Sequence, residues 1–175
     1  MTKLQKLEPA AFVLLFAATY YAVFVLPPRS ALYDLSSVEA LAGWATVAVA
    51  IALLVLRLLP GRRLRLERSI YAAFLAAMPL IYLAASFQRQ AGPAIGIELA
   101  GTAIFVGLAF FGYFRSFVVL GWGIAAHGVG WDLWHHGSSY ISPWYPFACM
   151  VIDLALGFLV ITQASEHSGR GREAD

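Results

Sequence analysis

A chain of 175 residues and 19.0 kDa has the length of one domain, but 61% of its residues are hydrophobic, only 13% are charged and mean hydropathy is +0.73. Ordinary soluble domains carry about 25% charged residues, and a globule this small has too little interior to hide so much apolar surface. The composition excludes a disordered chain, a small secreted scaffold and a typical cytosolic enzyme, and leaves a polytopic membrane protein. The net charge of +2 brings no nucleic-acid-binding pattern with it. The single cysteine, Cys149, excludes an intramolecular disulfide and a Cys-only metal site.

A transmembrane helix needs about 20 mostly apolar residues, and six segments qualify in chain order. The first, 10–26, stops at Pro27-Pro28 and reads as a retained span despite Lys3 and Lys6 before it. The second, 38–59, stops at Pro60-Gly61. The third, 69–87, carries Pro79, which should kink it. The fourth, 94–114, follows Gly92-Pro93; the fifth, 116–136, precedes Gly137; the sixth, 144–163, follows Pro143 and contains Pro146. Proline and glycine thus punctuate the boundaries where helices should end. The expectation is an all-α fold, a six-transmembrane-helix bundle over residues 1–163 with a polar, mobile cytoplasmic tail at 164–175.

Basic residues set the orientation. With the amino terminus in the cytoplasm, the inner side holds ten: Lys3, Lys6, Arg57, Arg62, Arg63, Arg65, Arg68, Arg115, Arg170 and Arg172. The outer side holds only Arg29 and Arg89. This asymmetry supports a multi-pass protein of the cell's inner (plasma) membrane with both termini inside. Trp134, Tyr140, Trp144 and Tyr145 fall near the outer boundary and read mostly as anchoring aromatics.

Ionisable groups inside a bilayer cost roughly 2.5–3.5 kcal/mol each on insertion scales and persist where something compensates them. The fifth segment carries His127, Asp132, His135 and His136, the sixth Cys149 and Asp153, and the fourth Glu98. At about 1.5 Å of rise per residue, His135 and His136 lie within ~3 Å of the outer end, Glu98 ~6 Å, Asp132 ~7 Å and Cys149 ~8 Å in. Asp153 comes out at ~13 Å and His127 at ~15 Å. Three separate segments therefore place their polar groups in one half of the membrane. Asp132 and His136 are four apart and share a helical face. His127 and His135 are eight apart, so they belong to different levels or the helix is distorted between them, which Gly128 and Gly130 allow. Imidazole and carboxylate ligands suit zinc, iron or manganese. Against ligation, His135-His136 before Gly137 can equally cap a helix terminus. Glu39, at a helix start, reads as structural.

The run His127, Trp131-Asp132, His135-His136, Pro143, Trp144-Tyr145, Cys149 and Asp153 resembles a pattern in small bacterial integral membrane proteins, a resemblance that implies no reaction. The D-x-x-H-H element is also similar to the H-x-x-H-H box of membrane fatty-acid hydroxylases and desaturases. Those families use more histidines than the four here, so the resemblance implies only that such a dipeptide near a membrane surface can hold a metal. The resulting expectation is a metal-dependent enzyme, hydrolase or oxidoreductase, acting on a lipid-like or isoprenoid-like substrate. Asp132, His135 and His136 would be metal ligands, with Glu98, His127 and Asp153 as catalytic or further ligand groups. The alternatives are an ion- or proton-coupled transporter, lined as a homo-oligomer, and a structural protein with a buried polar network.

Overall fold

A computed structural model describes residues 8–25, 37–58 and 64–172, and these are helical apart from short turns, with no strand among them. The helices are α1 (Glu8–Tyr20, continued by a π-helical turn Tyr21–Val25), α2 (Val38–Leu58), α3 (Leu64–Gln88), α4 (Gly92–Phe114), α5 (Phe117–Ala126), a π-helical segment His127–Asp132, α6 (Leu133–His135) and α7 (Trp144–Arg172). Four stretches, Val38–Leu56, Arg65–Gln88, Gly92–Phe114 and Trp144–Ala164, are long and apolar enough to cross a membrane. Helix α7 continues to Arg172, beyond the apolar run and into the stretch expected to be a mobile tail. Pro27-Pro28, Pro60-Gly61, Lys3, Lys6, Arg29, Arg62 and Arg63 lie outside the described residues, as do the side chains of Arg57, His167, Arg170 and Arg172.

Local chemistry sets the helix ends. Ser37 caps α2, its hydroxyl accepting from the Ala40 amide at 3.4 Å. Between α3 and α4 the Ala91 amide donates to the Ser86 carbonyl at 2.9 Å, and Gln90 takes φ 53°, the left-handed closure of a helix C-terminus. Pro93 stands in the first turn of α4, where its missing N–H costs nothing.

The helices alternate in direction. The α3–α4 turn reverses the chain at one end, and at the other Arg68 Nη2 donates to the Gly112 carbonyl at 2.7 Å, tying the start of α3 to the end of α4. The start of α2 meets the start of α7 through Glu39, whose Oε1 accepts from the amide and hydroxyl of Ser142 at 3.3 and 3.1 Å. Ala22 and Val23 at the end of α1 pack with Ala148 and Ile152 of α7, while Ala11 and Leu15 share a core with Leu156, Leu159 and Val160.

In lipid, helix association rests on close packing more than on apolar burial. The α5–α7 seam shows this. A Cβ on Gly157 would stand 2.8 Å from the Gly121 carbonyl, and one on Gly121 would stand 3.1 Å from the Gly157 carbonyl. Large apolar side chains are left outside on every long helix, as Val13 on α1, Ile51 on α2, Leu80 on α3, Phe110 on α4 and Leu154 on α7, and suit contact with lipid.

Candidate metal centre

The fifth apolar segment is an α-helix only as far as Ala126. An α-helix turns residues five apart by about 140° from one another. The i→i+5 pattern of the π segment stacks them instead. His127 and Asp132 are its first and last residues, and His127 Nδ1 lies 3.3 Å from Asp132 Oδ1. From α7, Asp153 Oδ2 comes within 2.8 Å of the same nitrogen. A Cβ on Gly128 would stand 2.9 Å from Asp153 Cβ, so the bare glycine lets α7 come this close. One ligand atom from each of His127, Asp132 and Asp153 fits within a 4.8 Å span, and all three residues are buried.

Asp132 is further held from α3. Tyr82, fully buried, donates its hydroxyl to Asp132 Oδ1 at 2.7 Å, while Asp132 Oδ2 and His127 Nε2 have no partner. Two buried carboxylates beside one imidazole hold excess negative charge unless a proton or cation joins them. Around a tetrahedral ion with bonds of about 2.0–2.1 Å, ligand atoms stand roughly 3.3 Å apart. The observed 3.3 Å separation already matches, and the 2.8 Å one needs about half an ångström of opening. One imidazole and two carboxylates are a donor set for zinc, iron or manganese, and they leave coordination positions open.

The remaining site candidates divide differently from the expectation. His135 belongs to a second cluster: its Nδ1–H donates to the Trp131 carbonyl at 2.6 Å, which fixes the hydrogen on that nitrogen, and Nε2 lies 2.7 Å from Glu98 Oε1. Tyr140 donates to the same Glu98 oxygen at 2.5 Å. Burial first, then this bond, holds the Tyr140 phenol above the usual tyrosine pKa. The expected ligand trio Asp132, His135 and His136 is therefore not brought together. Asp132 turns to His127 and Asp153, His135 turns to Glu98, and His136 is exposed. Tyr82 touches both clusters, since its ring centroid lies 4.1 Å from that of His135.

A cleft of about 320 Å³ lies between α2, α3 and α7, with Asp153 in its wall. Ala42, Ala45, Ala73 and Ala77 line it with larger apolar side chains such as Phe74, Met78 and Ile152, and Tyr145, Cys149 and Asp153 bring polar atoms to it. Thr46 also lines it but donates its hydroxyl to the Ala42 carbonyl at 2.9 Å. Glu39 and Ser142, bonded at 3.1 Å, each stand three residues before a cleft-lining residue, Ala42 and Tyr145. Two of the expected anchoring aromatics are buried: Tyr140 donates to Glu98, and Tyr145 lines the cleft. Trp134 is exposed as an anchor should be. Sequence reading missed Tyr82, Tyr140 and the cleft; the available signal was that a buried tyrosine needs a partner for its hydroxyl. Comparison with protein-family models, curated proteins and solved structures finds no match to this chain.

Proposed function

We propose that this chain is a six-span protein of the inner (plasma) membrane, with both termini cytoplasmic, and a metal-dependent enzyme acting on a lipid-like or isoprenoid-like substrate. The observation that carries the reading is a buried cluster of one imidazole and two carboxylates, one of which, Asp153, stands in the wall of an apolar cleft. His127, Asp132 and Asp153 hold a divalent zinc, iron or manganese ion. Such an ion supplies an activated water or a polarised substrate oxygen. Tyr82 keeps Asp132 aimed at the ion through its 2.7 Å bond. Glu98, His135 and Tyr140 form the layer above, where the His135 ring backs the Tyr82 ring. The orientation follows from charge: Arg68 bonds at the end of the bundle opposite the site, Arg65 precedes it by three residues on α3, and Arg115 follows α4.

Protein purified in detergent and analysed for metals should carry about one transition-metal ion per chain. His127→Ala, Asp132→Ala and Asp153→Ala should each lower that content, and His136→Ala should not. Folded wild-type protein that takes up no transition metal would overturn the proposal.

A further inference from the structure

We infer that the substrate is a single-chain aliphatic or isoprenoid molecule whose head is an uncharged oxygen group, not a phosphate. The inference rests on the metal-enzyme reading above and adds the chemistry of the molecule that the site accepts. The cleft sorts its surface by polarity: α2 and α3 supply mostly carbon on two sides, and Tyr145, Cys149 and Asp153, four residues apart in turn, form a polar stripe on α7. A chain lying along the alanines can therefore set its head against Asp153, the metal ligand that stands in the cleft wall. Ala45, Ala73 and Ala77 line the cleft and are exposed, so it is reached sideways from the surface that faces lipid. Its volume of about 320 Å³ is near the lower end of small-molecule pockets, about 300–1,000 Å³, and suits one chain.

Charge decides the head. A divalent ion, the two carboxylates of Asp132 and Asp153 and a neutral His127 sum to zero. An alcohol or carbonyl oxygen can join that set without adding charge. A phosphate would add negative charge to a buried site, which is costly unless a cation pairs with it. Among the described residues none supplies it: Arg68 is engaged at the opposite end with the Gly112 carbonyl, and Arg89 is exposed in the α3–α4 turn. No Lys or Arg lines the cleft.

Cys149 is the chain's only cysteine and lies in the cleft wall, so its thiol reports occupancy. Metal-loaded full-length protein in detergent is treated with N-ethylmaleimide alone, with n-decanol, or with n-decyl phosphate at equal concentration. Decanol should slow modification at least fivefold and decyl phosphate less than twofold. Protection by decanol should vanish in Ala77→Trp, which narrows the cleft. The shift in unfolding midpoint produced by the two probes is measured in parallel and decides the matter if the thiol reacts too slowly to follow. Equal or better protection by the phosphate overturns the neutral head. Protection by neither probe, or protection that persists in Ala77→Trp, overturns the chain site. Metal content is read on the same samples: metal-free protein defeats the enzyme reading, whereas metal-loaded protein with the wrong probe order defeats only this inference.

Discussion

Gly128→Ala places a methyl group against the element that delivers Asp153, and the structure fixes how much must give. The new Cβ would lie 2.9 Å from Asp153 Cβ and 3.3 Å from the Met150 carbonyl oxygen. Carbon atoms rest about 3.5–4.0 Å apart, so α7 must retreat by roughly 0.6–1.1 Å. Neither obstacle is the far end of a flexible side chain, and the retreat moves the Asp153 carboxylate with it. Metal binding itself asks for about half an ångström of that retreat, and the remainder, up to roughly 0.6 Å, exceeds the ~0.2 Å that metal–ligand distances tolerate. Overpacking of this kind costs about 1–3 kcal/mol of stability, and metal affinity should fall about 10–100-fold, the range seen when groups that orient ligands are disturbed. Gly130→Ala is the matched control: same substitution, same π segment, nothing within 4 Å of the added carbon. It should leave metal affinity within about threefold and, on helix propensity, gain up to ~1 kcal/mol. Competition against a chromophoric chelator measures affinity, and thermal or SDS unfolding measures stability. Equal behaviour of the two alanines would refute the claim that the α7 contact at Gly128 sets the metal geometry.

Tyr82→Phe removes the hydroxyl held 2.7 Å from Asp132 Oδ1 and should weaken metal binding about tenfold by the same chelator competition. Tyr140→Phe deletes the 2.5 Å bond to Glu98 and should cost about 1.5–3 kcal/mol in equilibrium unfolding while leaving metal content unchanged. Because the Tyr140 phenol is raised above its ordinary value, its contribution is complete below about pH 10 and is lost only as pH climbs beyond it. The phenylalanine variant should therefore lack that alkaline fall in stability. Gly101→Ala would set a carbon 2.1 Å from two ring carbons of Trp131, so the indole must leave its notch. A changed tryptophan emission spectrum should report this, and an unchanged spectrum would mean that the notch is not formed.

The helices were legible because a bilayer imposes a long apolar run and Pro or Gly marks its limits, as at Gly92-Pro93 and Gly137. The site was legible as a list of costly residues, since Glu98, His127, Asp132, His135 and Asp153 are all buried at the expected half of the bundle. Their pairing was not legible. An α-helical wheel puts His136 beside Asp132 and keeps His127 away from it, and the π segment reverses the second of these relations. Gly128 and Gly130 signalled that distortion was affordable, but not that it would be a π turn. Tyr82 could not be picked out because its role depends on how α3 docks, and nothing in the apolar run around Pro79 states that register. Glu39 looked like a dipole partner of its own helix and turns out to link α2 to Ser142 at the start of α7.

The depth at which the polar groups stop favours the enzyme proposed above over a carrier. Below His127 and Asp153 the next buried side chains are Ile124 and Leu156, joined by Leu75, Met78, Leu120 and Leu159 in one apolar cluster. Among the described residues, the next bonded pair of side chains in that direction is Tyr71 and Gln163, the hydroxyl donating at 3.0 Å. Asp153 and Gln163 are ten residues apart on α7, about 15 Å of helix, and Tyr82 and Tyr71 are eleven apart on α3, about 17 Å. The cleft borders this interval along α3 as far as Ile70, but its α3 lining is apolar, so a polar solute or proton crossing would meet two or more turns of leucine, isoleucine, alanine and phenylalanine side chains. The α5–α7 seam at this level is the Gly121–Gly157 approach, too tight for even a methyl group, so the helices have no slack through which to open. A cluster bounded by apolar side chains on one side, with Asp153 facing an apolar cleft on another, supports the proposal of a substrate that arrives from the bilayer and leaves by the same route.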